Sequence, residues 1–220
     1  MSEAARVGLI AALALWMALV EIEIEGRHGW AVRLPTWFRT RGPAGRVYGL
    51  LNGGKPLTGY HLFMATLPLV FLHLPFGFGA DWTLAAEAMV VATYLAFAIG
   101  WDYLWFILNP AFGLRRFRRG LVWWYPGLWI ARLPYEYWAA VVLSFAVAAV
   151  AWPLGRGAGA LAEQGRLVGG LALLCLVAMA LAPAYRRWYA WMRRPGADEH
   201  DEVAAAAERY ARTGDDPERP

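Results

Sequence analysis

The residues of this chain that could do chemistry are few, and they sit in or beside long apolar blocks. Glu21 and Glu25 are one helical turn apart, and His28 continues their face if the helix persists past Gly26. His61 and Asp102 each fall inside an apolar block, and Glu136 opens another between two tyrosines. An ionisable group in such a block is costly to bury without a partner or water, so each of these positions is a candidate for function.

Two kinds of chemistry suit this set. Carboxylates with one or two imidazoles are donors for Zn, Fe or Mn, which makes Glu21, Glu25, His28, His61 and Asp102 candidate ligands of a divalent metal ion. The run from Glu25 to His28 has the E-x-x-H spacing of carboxylate-bridged helical metal sites, but only one copy is present, and Gly26 and Gly29 can end the helix before His28 is presented. Without a metal, Asp102, His61 and Glu21 have the chemistry of a catalytic acid/base set, because a buried carboxylate and an imidazole can exchange a proton near neutral pH. The competing structural account pairs Glu21, Glu23 and Glu25 with Arg27, Arg33 and the basic run at 115–119. The alternation of Glu and Ile over 21–25 also permits a short extended exit, which would place the three glutamates on one face.

Positioning these residues requires membrane-spanning helices. Of the 220 residues, 59% are hydrophobic and only 17% charged, and the charges gather between the apolar blocks. A span needs about 20 largely apolar residues, since every backbone polar group must be bonded internally. Five segments qualify: Arg6–Glu25, Pro56–Leu74, Trp82–Asn109, Pro134–Trp152 and Gly165–Ala182. Pro56 and Asp81 are the expected start signals of the second and third, and Pro75 the expected stop of the second. The fourth carries Ala140, Ser144 and Ala148 at four-residue spacing, a stripe that permits close helix contact. The 13 tryptophans gather near block ends, where an indole satisfies both its apolar body and its N–H.

The fold class expected is therefore all-α, a multi-pass transmembrane bundle of about five helices over residues 1–194, with a polar tail at 195–220 that is solvated and partly helical or disordered. Arginines and lysines load the loops after the first, third and fifth spans, while the other two loops carry few, so the N-terminus lies outside and the C-terminus inside. That orientation brings the carboxylates and His61 to the cytoplasmic end, and the bacterial inner membrane is the expected location. The cytoplasmic loop at 26–55 mixes Trp30, Leu34, Trp37 and Phe38 with basic residues, as a segment lying in the headgroup plane would.

Several other features have simpler accounts. Arg115, Arg116, Arg118 and Arg119 form a juxtamembrane basic run that meets anionic lipid headgroups, and the net charge of +4 has the same explanation, not nucleic acid. His73 has no second membrane-embedded histidine at its depth to complete a haem site, and Glu87 has Arg166 as a possible partner. Asn52-Gly53-Gly54-Lys55 lacks the Walker spacing and forms a turn, and the acidic run at 198–202 is a solvated charge cluster. The single Cys175 excludes an internal disulfide. No nucleophile elbow, zinc-protease motif or dinucleotide fingerprint occurs.

The leading expectation is a membrane-embedded enzyme, metal-dependent or acid/base, acting on a lipid-like substrate. A non-catalytic subunit or assembly factor, contacting a protein partner or a second copy through its helices, is one alternative. A proton or metal-ion carrier is another.

Overall fold

The computed structural model describes residues 2–192 except 40 and 53. The tail at 195–220, with its acidic run, lies outside the described residues. Helices dominate the chain. Four of them are long and apolar enough to cross a membrane: α1 (Glu3–Glu25), α3 (Gly59–Gly77), α4 (Leu84–Leu108) and α7 (Gly159–Met192), the numbering leaving room for the short α2 (Gly42–Leu51), α5 (Gly113–Arg116) and α6 (Tyr135–Val150). The fourth expected span appears as α6, whose 16 residues fall short of full crossing length and are followed by a π-helical turn at Trp152–Arg156. Two small antiparallel ribbons tie the loops, β1 (Phe38–Arg39) to β2 (Leu57–Thr58) and β3 (Trp129–Ile130) to β4 (Leu133–Pro134).

The helix starts are set by hydroxyl caps, not by the acid and proline expected. Ser2, Thr58 and Thr83 each accept a backbone N–H from the first turn of α1, α3 and α4, so Pro56 and Asp81 stay outside their helices. Pro75 does not stop α3, which runs on to Gly77 and also contains Pro68. Helix α1 does end at Glu25, because Gly26 adopts φ +57° and its N–H bonds back to the Ile22 carbonyl. The glutamate run is thus helical throughout, and the extended alternative does not occur.

Helix α4 is the axis of the bundle, with half of its apolar stretch buried, whereas α3 buries 11%. Arg6 of α1 bonds Thr93 of α4 and Glu163 of α7, and Arg166 of α7 bonds Glu3, so the first turns of α1 and α7 lie beside the first half of α4. At the other end Asn109 donates to the Gly26 carbonyl and Arg186 to the Ile107 carbonyl. Helices α1, α4 and α7 therefore run parallel. Helix α6 runs against them, since Tyr137 at its start reaches Asp102 late in α4 and Ala148 near its end joins Ala85, Met89 and Ala92 early in α4. The expected stripe serves this packing: Ser144 and Ala148 are fully buried, and small side chains on both helices let the backbones approach. Helix α3 also runs against α4, as Tyr94 donates to the Ala65 carbonyl and Glu87 meets His73. Helices α1 and α3 both pack beside α4 and leave a cavity between them.

Candidate functional site

That cavity has a volume of about 380 Å³ and lies at the end of the bundle where α1 and α4 finish and α3 begins. Its lining includes Glu21, Glu25, His61 and Asp102, drawn from three helices, so four of the five residues expected at the site come together. Helix α2 adds Tyr48 and Asn52, and the loops add Trp30 and Trp124. His28 is not among the lining residues: α1 has already ended, and its Nε2 instead meets the Arg27 Nε at 3.4 Å. The single E-x-x-H run therefore does not present two donors on one helical face. Among the described residues, no three His, Cys, Asp or Glu side chains gather closely enough to hold a metal ion.

Each polar group is oriented by its own element. Glu25, 8% exposed, is the last residue of α1, and the chain folds back so that the Ala31 N–H donates to Glu25 Oε1 at 2.6 Å. His61 stands in the first turn of α3, where its backbone N–H bonds the capping Thr58 Oγ1 at 2.9 Å and its Nδ1 shares a hydrogen bond with the same oxygen at 2.8 Å. One hydroxyl thus fixes both the helix start and the ring. His61 Nε2 then lies 4.0 Å from Glu25 Oε1. Asp102 Oδ2 accepts from the Tyr125 hydroxyl at 3.0 Å and from the Tyr137 hydroxyl. The Tyr60 hydroxyl and Trp101 Nε1 face the Glu21 carboxylate without closing hydrogen bonds to it.

A layer of aromatic rings and one lysine completes this end of the bundle. The Trp30 ring lies 4.5 Å from the His61 ring at a tilt of 33°, and the Lys55 Nζ lies 4.3 Å from the Trp30 ring centre and donates to the Trp124 carbonyl at 2.5 Å. Burial holds the Lys55 amine below the usual lysine range, opposed by the charges of Glu136 and Asp102. Burial, and then the adjacent Asp102 carboxylate, hold the Tyr125 hydroxyl protonated well above the usual phenol range. Trp105 packs edge-on to Trp124, and Gly29 passes so close to both that only a residue without a side chain fits.

Sequence reasoning missed Lys55, Tyr125, Tyr137, Trp30 and Trp124. In the sequence Lys55 reads only as the basic end of a turn, and Tyr137 only as a neighbour of Glu136. The aromatic enrichment of the two loops was the available signal, but it indicated an interface and not which rings turn inward. Part of the loop at 26–55 does face outward: Trp37, Phe38, Val47 and Leu50 are 84%, 59%, 55% and 85% exposed.

The other candidates lie away from the cavity. Arg115, Arg116, Arg118 and Arg119 are all exposed on and after α5. Glu87 pairs with His73 at 3.2 Å and accepts from Trp82 Nε1 at 3.0 Å, while its expected partner Arg166 bonds Glu3. Chain order explains the difference, since His73 and Glu87 flank one short connection and Arg166 stands in the third turn of α7, which packs on α1.

Comparison with protein-family models, with curated proteins and with solved structures finds no match to this chain.

Proposed function

We propose that this chain is a membrane-embedded acid/base enzyme whose active site is the cavity between α1, α3 and α4, opening toward the cytoplasmic leaflet and taking the polar end of an amphiphilic substrate. The observation that carries this is the gathering of Glu21, Glu25, His61 and Asp102 from three helices around one cavity of about 380 Å³. In this reading His61, oriented by Thr58, exchanges a proton with Glu25, 4.0 Å from its Nε2, through one bridging water. Glu21 faces substrate as the second acid/base group, and Asp102, fixed by two tyrosine hydroxyls, orients the polar head. The metal-dependent version of this chemistry is set aside, because it needs donors that converge on one point.

Five spans with the N-terminus outside complete the proposal. The alternating basic loops support it, and so does the alternation of direction, with α1, α4 and α7 parallel and α3 and α6 opposed. The kinked turn at Trp152–Arg156 continues the chain beyond the 16 residues of α6. The exposed arginines after α5 then meet anionic headgroups on the same side as the cavity.

Purified protein in vesicles of extracted bacterial inner-membrane lipid, followed by mass spectrometry of the lipid pool, tests the enzyme. Wild type is expected to convert at least one amphiphile, and Glu25→Gln or His61→Gln to slow that conversion by about 10²–10⁴-fold while remaining folded. A lipid pool unchanged by folded wild-type protein would overturn the proposal.

A further inference from the structure

The cavity gathers more acidic side chains than basic ones. Glu21, Glu25 and Asp102 contribute three carboxylates to its lining, and they lie within electrostatic reach of one another. Lys55 is the neighbouring ammonium, and it is already engaged by the Trp30 ring and the Trp124 carbonyl. Asp102 is offset by the two tyrosine hydroxyls and Glu25 by the Ala31 N–H, whereas Glu21 has facing donors that close no hydrogen bond to it.

The remaining surface is aromatic. Tyr48, Tyr94, Trp101, Trp105 and Trp124 line the cavity, and ring faces attract cations most strongly where water is excluded. A positive group here meets both a carboxylate and aromatic rings, which together offset the cost of its desolvation. The second feature is unmet hydrogen bonding. Trp105 is 3% exposed, and its indole N–H has no acceptor. A buried donor of this kind calls for an acceptor oxygen from outside the chain.

We infer that the cavity binds an organic ammonium that also carries an acceptor oxygen, with the nitrogen held by Glu21 and the surrounding rings and the oxygen held by the Trp105 indole N–H. A volume of about 380 Å³ suits a group of this size. Amino-alcohol headgroups of lipids and free amino alcohols share this chemistry. The inference rests on the cavity being the substrate site, and binding is measured separately from conversion, so either can fail alone.

The test is titration of intrinsic tryptophan fluorescence in purified protein with three probes: choline, its uncharged carbon isostere, and an amphiphile carrying the choline head on a dodecyl chain. Choline is expected to bind at least about tenfold more tightly than the isostere, and Glu21→Gln to remove most of that preference. Much tighter binding of the amphiphile supports a lipid headgroup as the source, and equal binding supports a free amino alcohol. Trp105→Phe keeps an aromatic ring without its N–H, and it is expected to weaken choline binding several-fold with helicity unchanged. Equal affinity for choline and the isostere overturns the inference, as does a charge preference undiminished in folded Glu21→Gln protein.

Discussion

Tyr137, the third residue of α6, donates its hydroxyl to Asp102 in the interior of α4, so a helix that does not line the polar cavity holds one of its carboxylates. Tyr137 also lines a separate apolar groove among α4, α6 and α7. The residue thus joins the packed half of the bundle to the half that contains the cavity.

Removing that hydroxyl leaves Asp102 with Tyr125 as its donor. A hydrogen bond to a charged group is worth about 1.5–3 kcal/mol, so Tyr137→Phe is expected to lower the thermal midpoint in detergent by several degrees without changing helicity. Tyr125→Phe alone is expected to cost a similar amount, and the two together more than either. An unchanged midpoint in Tyr137→Phe would show that Asp102 does not depend on α6.

Lys55 provides a pH signature with a definite sign. Its amine is held below the usual lysine range in the folded protein, chiefly by burial, so the unfolded chain binds the proton more readily. Stability is therefore expected to rise with pH as the folded-state amine loses its proton, up to the unfolded lysine value of about 10.4. Tyr48 and Tyr125, both raised chiefly by burial, act in the opposite sense above about pH 10, where the unfolded phenols ionise first. A rise followed by a fall is expected in denaturation midpoints across the alkaline range. In Lys55→Met the rise disappears and the fall remains.

The membrane character and the meeting of Glu21, Glu25, His61 and Asp102 were legible because both follow from simple rules. Apolar block length gives the helices, and basic loops give their alternation, so residues far apart in sequence fall at one end. The helix boundaries were less legible because Ser2, Thr58 and Thr83 cap on local hydrogen bonding that Pro56 and Asp81 mimic in composition alone. Partner choice was the least legible. Nothing in spacing indicates that Tyr125 and Tyr137 both reach Asp102, or that Lys55 turns toward Trp30, because these are long-range contacts fixed by how the loops fold over the helix ends.

Gly29 tests whether that loop packing forms the aromatic layer. It adopts φ +64°, and a Cβ there would come within 2.6 Å of Trp124 Cη2 and 3.1 Å of Trp105 Cη2. Gly29→Ala combines backbone strain with overpacking, each costing roughly 1–3 kcal/mol. Near-ultraviolet circular dichroism of the tryptophans is expected to change, together with a drop in thermal midpoint. A variant with the wild-type spectrum and midpoint would mean that the loop does not close over α4 in this way.

Metal removal separates the two versions of the chemistry. Acid/base catalysis by His61 and Glu25 needs their 4.0 Å relationship, bridged by water, and no metal ion, whereas a metal mechanism needs donors that converge. His28 leaves the set when α1 ends at Glu25, and Asp102 already receives two tyrosine hydroxyls on one oxygen. Purification in the presence of a strong chelator is therefore expected to leave amphiphile conversion and thermal midpoint unchanged, and added Zn, Fe or Mn is not expected to raise either. Conversion that is lost on chelation and restored by one of these ions would return Glu21, Glu25, His61 and Asp102 to the role of ligands. His61→Gln would then reduce metal content along with activity, whereas under acid/base chemistry it reduces activity alone.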